Sequence, residues 1–395
     1  MAVDSLILVA NPGSASRKYA LYSDDKCLIK IHFELLDGKV IYTSETNGEH
    51  HSPKPADISH LTFAGSKVFS ILQSHGLLSV KDQIKTIALR VVAPSSYFQQ
   101  DRVLDKQAID KLTDLEPRAQ LHINAGLQEV HLLKQAFPEA VLLGISDSAF
   151  HHTMPDHASG YALPFKDTDK LDIKRFGYHG LSAESVVKVL RPKDKLPLRL
   201  VICHLGSGAS VTAVKSGKSI DTTMGYSPLE GLMMSTRSGS IDVTAAQVLQ
   251  DELKLSSQDL QEYLNHKSGL LGVSGTSADI KVLLELERDG DSRAKLALDM
   301  YIYRVQQAIG QMVAALGGVD ALVFTGTVGE RSVQIRRRVT ERLMFLGLQL
   351  NPKINHGLKE LKELTRISPA SHPAKVYVVP ADEYSVIVSH ARKLS

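Results

Sequence analysis

Tryptophan and cysteine are the residue types that this chain has least of. Its 395 residues include no Trp and two cysteines, Cys27 and Cys203. Two cysteines in dissimilar contexts exclude both a disulfide framework and a zinc site with the usual ligand spacing. The sequence therefore favours a protein of a reducing compartment, and the cytoplasm is the expected location.

An excess of one charge is also lacking, because 46 Lys and Arg face 43 Asp and Glu. This balance gives no electrostatic footprint for nucleic acid or a membrane surface, so neither is expected as a partner. The first residues lack the basic start and long apolar stretch of a signal peptide. The most apolar long stretch, 294–316, contains Arg304 and several Gln, which predicts a buried helix. The basic run Arg336-Arg337-Arg338 is interpreted as a solvated helix face.

What the chain does have is one design that occurs twice. LILVANPGSASRKYAL turns at Gly13-Ser14, and RLVICHLGSGASVTAV turns at Gly206-Ser207, 193 positions later (206 minus 13). Each copy is an apolar β-rich run, a turn of small residues and a second β-type run. Such a hairpin directs backbone N–H groups and hydroxyls into a concavity that cradles phosphate. One copy is ordinary turn chemistry, but two matched copies predict two homologous halves, each with a phosphate-binding hairpin.

Strand and helix patterns alternate along the chain, which predicts an α/β architecture. The length indicates two or three domains, and the Pro-, Gly- and His-rich segment from His151 to Pro164 is the expected boundary. The predicted strands are 6–10, 18–22, 84–92, 141–145, 198–204, 210–215, 321–325 and 375–379. The predicted helices include 106–115, 124–136, 182–190, 243–253, 256–264, 278–287, 292–316 and 332–346, and a last helix from 384 that packs back on the first half.

Polar residues cluster where the predicted strands end. Asp147 follows the run AVLLGIS, a standard place for a metal-binding or catalytic acid in an α/β sheet, although a helix cap or turn is an open alternative. Arg237 ends a Met- and Gly-rich loop between small residues, where a guanidinium can clamp an anion, with a surface arginine as the alternative. His179 in RFGYHG and the strand–turn VFTGTVGE are weaker signals of the same kind. The adjacent pairs His50-His51 and His151-His152 point in different directions in regular structure and are not interpreted as metal ligands.

Taken in order, these segments resemble the acetate kinase family (acetate and butyrate kinases) within the actin/Hsp70/sugar-kinase superfamily. The matching pieces are Asn11-Pro-Gly-Ser-Ala-Ser16 with Lys18, Arg90-Val-Val92, Leu121-His122, SDSAFHHTMP, RFGYHG, HLGSGAS, DTTMGYSPLEGLMMSTRSG, VSGTSAD, FTGTVGE and VPADE, from Leu6 to about His390. The resemblance implies an α/β fold of two similar actin-like (ribonuclease H-like) domains around a central cleft. Residues 1–150 with 384–395 would form the acyl-side domain, and 151–383 the nucleotide- and phosphate-side domain.

The resemblance also implies a role for each matched residue. The catalytic residues would be Arg90, His122, Asp147, His179 and Arg237. The substrate-binding residues would be Arg90, Val92, Leu121, Tyr178 and Pro228. The phosphate hairpins would contribute Asn11, Ser14, Ser16, Lys18, His204, Gly206, Ser207 and Gly208. The nucleotide loops would contribute Asp279, Ile280, Lys281, Gly326, Thr327, Val328, Gly329 and Glu330. Asn11 and Glu383 would serve Mg²⁺, with Mn²⁺ as an alternative.

The implied activity is reversible, in-line transfer of a phosphoryl group from ATP to the carboxylate of acetate or propionate, by a homodimer. The residue types suit this chemistry on their own. A carboxylate is already ionised at pH 7, so its attack needs no general base, only neutralisation and alignment of two anions. Arg90 and Arg237 would supply the charge, and both are expected to line an open cleft, so that replacing either leaves folding little affected.

The chain departs from the family pattern mainly on the adenosine side. The turn Ala-Gly-Ile-Gly-Glu-Asn is here Gly326-Thr-Val-Gly-Glu-Arg331, and an aromatic is replaced by Ile280. A β-branched Thr327 is expected to narrow the turn and to resist positive φ, which leaves pyrophosphate or another triphosphate open as donor. Further departures are Leu89, Ala93, Ser207 and Ser240. A sugar or glycerol kinase and a non-catalytic actin- or Hsp70-like nucleotide-binding protein stay open as alternatives.

Overall fold

The computed structural model of the chain describes residues 6–13, 16–118, 120–193, 196–358, 361 and 363–394. Contacts between Cα atoms divide the chain into two compact units, Met1–Ala149 with Glu383–Ser395, and Phe150–Asp382. Each unit is built on its own mixed sheet and carries helices. The predicted α/β class is confirmed.

The first unit contains an eight-stranded sheet in the order β5-β4-β3-β2-β1-β6-β8-β7. Its strands are β1 Leu6–Pro12, β2 Ser16–Ser23, β3 Lys26–Leu36, β4 Lys39–Thr46, β5 Glu49–Pro55, β6 Ile84–Val91, β7 Arg102–Val103 and β8 Val141–Ser146. Its helices in this part of the chain are α1 Val68–Ser74, α2 Lys106–Leu115 and α3 Gln120–Ala136, with a 3-10 helix at Leu61–Lys67. The central strand β1 is buried from Ile7 to Ala10 because both faces of the sheet are covered there.

The second unit contains a six-stranded sheet in the order β11-β10-β9-β12-β14-β13. Its strands are β9 Arg199–Leu205, β10 Ala209–Lys215, β11 Lys218–Thr222, β12 Ala321–Thr325, β13 Thr365–Arg366 and β14 Lys375–Val378. Its helices are α4 Asp156–Ser159, α5 Phe165–Leu171, α6 Gly180–Lys193, α7 Val243–Glu252, α8 Ser257–His266, α9 Gly269–Ser274, α10 Ile280–Arg288, α11 Ser292–Leu316, α12 Gly326–Arg331, α13 Val333–Glu341 and α14 Pro352–Gly357.

Helix α11 shows how local sequence sets these elements. Asp291 caps its first turn, since its carboxylate accepts hydrogen bonds from the N–H groups of Arg293 and Ala294. Buried side chains recur at helical spacing, and the helix ends at Gly317, whose φ of +70° needs no Cβ. The helix predicted over 292–316 is confirmed, but only one face of it is buried, because Leu296, Tyr303 and Arg304 are exposed. None of the helices in the described ranges has both the length and the apolar character that a membrane span requires.

Both units share one five-strand topology. In the first, β3, β2 and β1 pair antiparallel and β1, β6 and β8 pair parallel. In the second, β11, β10 and β9 pair antiparallel and β9, β12 and β14 pair parallel. The two predicted hairpins are β1–β2 and β9–β10, which occupy the same place in each sheet. The prediction of two similar halves is confirmed.

The last helix, α15 Glu383–Leu394, belongs to the first unit, where it contacts β1, β6 and β8. Its inner face is buried at Val386, Ile387, Val388 and Ala391. The chain therefore leaves the first unit at Ala149 and returns to it at Glu383.

The basic run in α13 needs a correction. It was expected to face solvent as a block, but Arg336 is 0% exposed. Its guanidinium donates to Asn355 Oδ1 at 2.8 Å and to the carbonyl oxygens of Gly329 at 2.9 Å and Glu330 at 2.7 Å. Arg336 thus closes the C-terminal end of α12, and Arg338 pairs with Glu287 and Asp299.

Candidate active site

The first unit gathers four of the predicted residues at the ends of β1, β6, β8 and the start of α15. Arg90 Nη2 donates to Asp147 Oδ2 at 2.8 Å, and Arg90 Nη1 donates to Asn11 Oδ1 at 3.2 Å. Asn11 Nδ2 donates to Glu383 Oε2 at 3.2 Å, and that carboxylate oxygen lies 4.0 Å from Arg90 Nη1. The four side chains form one connected polar cluster.

Burial gives this cluster its electrostatic character. Asp147 is 0% exposed, and the side chains of Arg90 and Glu383 are each 17% exposed. Burial disfavours the charged guanidinium, but Asp147 and Glu383 outweigh that effect and hold the pKa of Arg90 above its ordinary value. Arg90 is therefore a cation with a fixed orientation across the physiological pH range.

The first hairpin lies beside this cluster. Strand β1 ends at Pro12, directly after Asn11, and β2 begins at Ser16. Lys18 pairs with Asn11 across the hairpin. Lys18 is exposed, whereas Arg17 and Tyr19 on the other face of β2 are buried. Ser14, the predicted phosphate ligand at the turn, lies outside the described residues.

The second hairpin brings three predicted side chains of the second unit together at its turn, those of His179, His204 and Arg237. A Cβ on Gly208 would stand 3.1 Å from His179 Nε2 and 3.7 Å from Arg237 Nη1. A Cβ on Gly206 would stand 3.6 Å from His204 Nε2. The ring centroids of His179 and His204 lie 4.2 Å apart. The missing Cβ atoms of the turn let these donors approach the backbone closely, while Ser207 is exposed at the tip.

Two serines orient these histidines, and the sequence did not point to either. His179 Nδ1 is hydrogen-bonded to Ser210 Oγ at 3.0 Å, and His204 Nδ1 to Ser182 Oγ at 2.7 Å. A contact at Nδ1 leaves the Nε2 atoms directed at the hairpin. His179 itself has a φ of +59°, a left-handed conformation that is uncommon for a residue with a side chain. Only the three-dimensional pairing of β10 and α6 with these rings identifies the serines.

The Met- and Gly-rich loop that carries Arg237 is anchored through Glu230. The Glu230 carboxylate accepts from the Arg175 guanidinium and from the Tyr161 hydroxyl. Arg175 also donates to the Thr222 carbonyl at 2.7 Å. Arg175 therefore holds the loop in place, which explains its position in RFGYHG better than a direct role in chemistry.

The residues predicted for the acyl pocket fall in both units. Val92 follows β6 and is half-buried, and Leu121 and His122 lie in α3 with side chains outside the described set. Tyr178 is 1% exposed, and its hydroxyl donates to the Tyr226 carbonyl at 2.7 Å. Pro228 is buried, and its carbonyl accepts from Arg237 Nη1 at 3.3 Å. Their role as an acyl pocket stays a prediction.

The predicted nucleotide loops are two helix beginnings. Asp279 caps α10, since its Oδ1 accepts from the N–H groups of Lys281 at 2.6 Å and Val282 at 3.2 Å. Ile280 is 6% exposed, so its side chain packs inward. At the other loop, the Glu330 carboxylate accepts at 3.0 Å from the N–H groups of both Gly326 and Ala381.

The turn does not need a positive φ at Thr327, contrary to what the family pattern led us to expect. The left-handed residue of this turn is Gly326, with φ +77°, where a Cβ would stand 2.7 Å from the Leu205 carbonyl oxygen. Thr327 lies within α12, in helical conformation, and is exposed. Val328 and Gly329 continue the helix, so the departure from the family pattern leaves the backbone of the turn unstrained.

The oxygen donors of the first unit suit a hard divalent cation. Mg²⁺ keeps several waters and is held in proteins by one or two carboxylates together with substrate phosphates. Asn11 Oδ1 and the Glu383 carboxylate supply such donors at the edge of the Arg90 cluster. Within the described ranges, no group of three or more His, Cys, Asp or Glu forms a metal site.

Comparison with known proteins decides the family. A model described as the acetokinase family matches residues 6–389. The chain belongs to the acetokinase family. An acetate kinase of Clostridium botulinum (strain 657 / Type Ba4) is 34% identical over 397 residues, covering 98% of this chain and 99% of the relative. An acetate kinase of Bacteroides thetaiotaomicron is 36% identical over 392 residues, covering 97% of this chain and 98% of the relative.

Solved structures agree with this acetokinase assignment. Porphyromonas gingivalis acetate kinase is 34% identical, with a TM-score of 0.84 over 99% of both chains. A propionate kinase from Francisella tularensis is 31% identical, with a TM-score of 0.88 over 98% of this chain and 99% of that one. The chain is an acetate kinase family enzyme, which decides against the sugar-kinase and non-catalytic alternatives.

Proposed function

We propose that this acetokinase-family enzyme transfers a phosphoryl group from ATP to the carboxylate of acetate or propionate, reversibly and by direct in-line transfer. The observation that carries the proposal is the convergence of His179 Nε2 and Arg237 Nη1 on the backbone of Gly208. A phosphoryl group in transfer spreads negative charge over its oxygens, and preorganised donors around a backbone turn stabilise that charge.

The Arg90 cluster is proposed to hold the anions of the acceptor side. Arg90 is fixed by Asp147 and Asn11, so a substrate anion meets a cation that needs no reorientation. The acyl carboxylate attacks without losing a proton, and Asp147 is therefore assigned to orienting Arg90 and not to proton transfer. Val92, two residues beyond Arg90, is proposed to limit the acyl chain together with Leu121, Tyr178 and Pro228.

Mg²⁺ is proposed as the cation of this reaction. When bound, it neutralises charge on the phosphate oxygens. Asn11 and Glu383 would hold it from the protein side. The Glu383 carboxylate is available for this role because Arg90 lies closer to Asp147, at 2.8 Å, than to Glu383, at 4.0 Å.

Pyrophosphate is a second candidate donor, favoured by one observation. The Ile280 side chain is 6% exposed and offers no flat surface to an adenine ring. The phosphate-side residues Asn11, His204 and Gly206 could bind the phosphates of a donor that carries no adenine ring. ATP stays the first proposal because the backbone of the Gly326 turn is unstrained.

A donor and acceptor screen tests the proposal. Acyl phosphate is trapped with hydroxylamine after incubation with ATP, GTP or pyrophosphate, each with acetate, propionate or glycerol as acceptor. Acyl hydroxamate with acetate or propionate supports carboxylate phosphorylation, and the preferred donor follows from the same plate. Absence of hydroxamate with all donors, or phosphorylation of glycerol instead, would overturn it.

A further inference from the structure

A buried charged group lies directly beneath the first hairpin, outside the cluster assigned above. Arg17 is 4% exposed. Because arginine is almost never buried without a partner, its contacts need to be identified. It sits on β2 next to Lys18, and because side chains alternate along a strand, the two point to opposite faces. The hairpin thus presents one cation outward and keeps another inside.

Arg17 is bonded to the turn of the hairpin. Its Nη1 donates to the Gly13 carbonyl and lies 3.4 Å from the Ser16 carbonyl oxygen. These carbonyls flank the turn on both sides. A carbonyl oxygen that faces a phosphate repels it, so a guanidinium that holds the Gly13 carbonyl on the buried side keeps that oxygen away from an anion at the hairpin.

The other end of the contact is Glu129 on α3. Its Oε2 lies 3.9 Å from Arg17 Nε, and its Oε1 accepts from the Tyr19 hydroxyl at 2.7 Å. Glu129 is 1% exposed. On its remaining side stands Gly65 of the 3-10 helix, where a Cβ would come within 2.5 Å of Oε1. The missing side chain of Gly65 makes room for the carboxyl.

Helix α3 also carries Leu121 and His122, two of the residues predicted to contact the acyl and phosphoryl groups. The contact between Arg17 and Glu129 therefore connects the phosphate hairpin to the helix that begins at the acyl side. We infer that Arg17 and Glu129 are positioning residues that fix the first hairpin against α3 and so set the affinity for the phosphoryl donor. This inference rests on the proposed function.

A purely structural role explains the pair less well. Burying two charges is costly, and well-packed apolar residues of similar volume commonly stabilise a fold as much or more. Both Arg17 Nε and Glu129 Oε2 are buried and, within the described residues, have no hydrogen-bond partner. The guanidinium donates instead to the Gly13 and Ser16 carbonyls, which is what a positioning role requires.

The contact depends on charge. The charged and titratable groups that act on Glu129 are Arg17 and Tyr19, both on β2, and the 3-10 helix faces its Oε1 with Gly65. Burial raises the pKa of the Glu129 carboxyl to about 7, while Tyr19 and Arg17 act in the opposite direction. Above that pH the carboxylate attracts Arg17 more strongly, and below it the attraction weakens.

The test compares KM values for the donor that the wild-type enzyme uses. Arg17→Met and Glu129→Gln keep side-chain volume and remove one charge each. Each should raise the donor KM by about tenfold, with the KM for acetate changed less than about twofold. The double variant should stay within about twofold of the worse single variant, because the two residues act as one unit. In wild type the donor KM should fall as pH rises through about 7, and in Glu129→Gln it should not.

Lys30→Met is the matched control, since it removes a cation from a half-buried pair with Glu45, 3.4 Å apart, in the same sheet. Its KM values should match wild type. If Arg17→Met does not fold, as judged by thermal unfolding, Arg17→Lys keeps the charge and should give an intermediate KM. Unchanged donor KM in folded variants, or equal changes in both substrates, would overturn the inference. Failure of the proposed function is a different result, because the wild-type enzyme would then form no acyl phosphate.

Discussion

Arg237 is the residue whose replacement most directly tests transition-state stabilisation. Arg237→Ala should lower kcat by about two to three orders of magnitude, as expected on losing a preorganised donor. The residue is only half-buried, so the fold should persist. Hydroxamate formation under saturating substrates measures the effect. Arg304→Ala, an exposed arginine on α11, is the control, and a near-normal kcat in Arg237→Ala would remove this residue from the catalytic set.

Arg90 should behave differently, because it neutralises a fully buried acid. The expectation of an open cleft that tolerates either replacement does not hold here, since Arg90 is bonded to Asp147, which is 0% exposed. Arg90→Ala should lower the free energy of unfolding by about 3–5 kcal/mol, the usual effect of breaking a buried ion pair by removing one partner. Urea unfolding measures it, and adding Asp147→Asn should restore part of the loss. If Arg90→Ala unfolds like wild type, Asp147 is compensated by other groups.

Single functional residues could be predicted where the residue type and its position in the sequence together indicate a chemical role. Asp147, Arg90, His179 and Arg237 stand at strand ends or in a loop of small residues, and the structure brings them into two polar groups. The serines that orient the histidines could not be found, because hydroxyl contacts depend on which strand and helix face meet. Arg336 was misjudged because consecutive helical residues lie about 100° apart, so one of three basic residues turns inward.

At the scale of elements, the connection between β2 and α3 gives the first unit a pH-dependent stability. Burial raises the pKa of Glu129 to about 7 from its ordinary 4.5. A raised pKa in the folded state means that the contribution to stability is complete below pH 4.5 and is lost as the pH rises through about 7. At about 1.4 kcal/mol per pH unit, the loss is on the order of 3 kcal/mol.

Glu129→Gln should remove this dependence, because glutamine mimics the protonated acid at every pH. The difference in free energy of unfolding, variant minus wild type, should grow between about pH 5 and pH 8, as measured by urea unfolding. Glu45→Gln, on the same sheet, is the control and should leave the slope unchanged. Parallel curves for Glu129→Gln and wild type would show that Glu129 titrates alike in both states.

Elements with a strong apolar pattern could be predicted, and polar edge strands could not. Helices α2 and α11 have the predicted bounds, 106–115 and 292–316. Strand β5 was missed because most of its residues are exposed and it reads EHHSPKP. Strands β3 and β4 were missed as well, although the alternating burial of β3 is a strand pattern. In the sheet β3 pairs with β2, β4 with β3 and β5 with β4, and local sequence does not encode these pairings.

For the whole molecule, removal of the divalent cation is the sharpest test of the proposed Mg²⁺ requirement. Excess chelator should abolish acyl phosphate formation, and added Mg²⁺ should restore it. Glu383→Gln should raise the Mg²⁺ concentration for half-maximal activity by about tenfold, since one anionic oxygen donor is lost. Glu341→Gln, on the exposed face of α13, should leave that concentration unchanged. Activity that survives the chelator would exclude the cation assignment.

The return of α15 to the first unit has a consequence for how the protein is made. A ribosome completes residues up to 149 long before it reaches 383, so the apolar surfaces of β1, β6 and β8 that α15 covers stay uncovered while residues 150–382 are made. The second unit, a continuous segment, can collapse meanwhile. Until residues 383–394 are made, the nascent first unit exposes the apolar surface that α15 covers in the folded protein, and such surface promotes aggregation during synthesis.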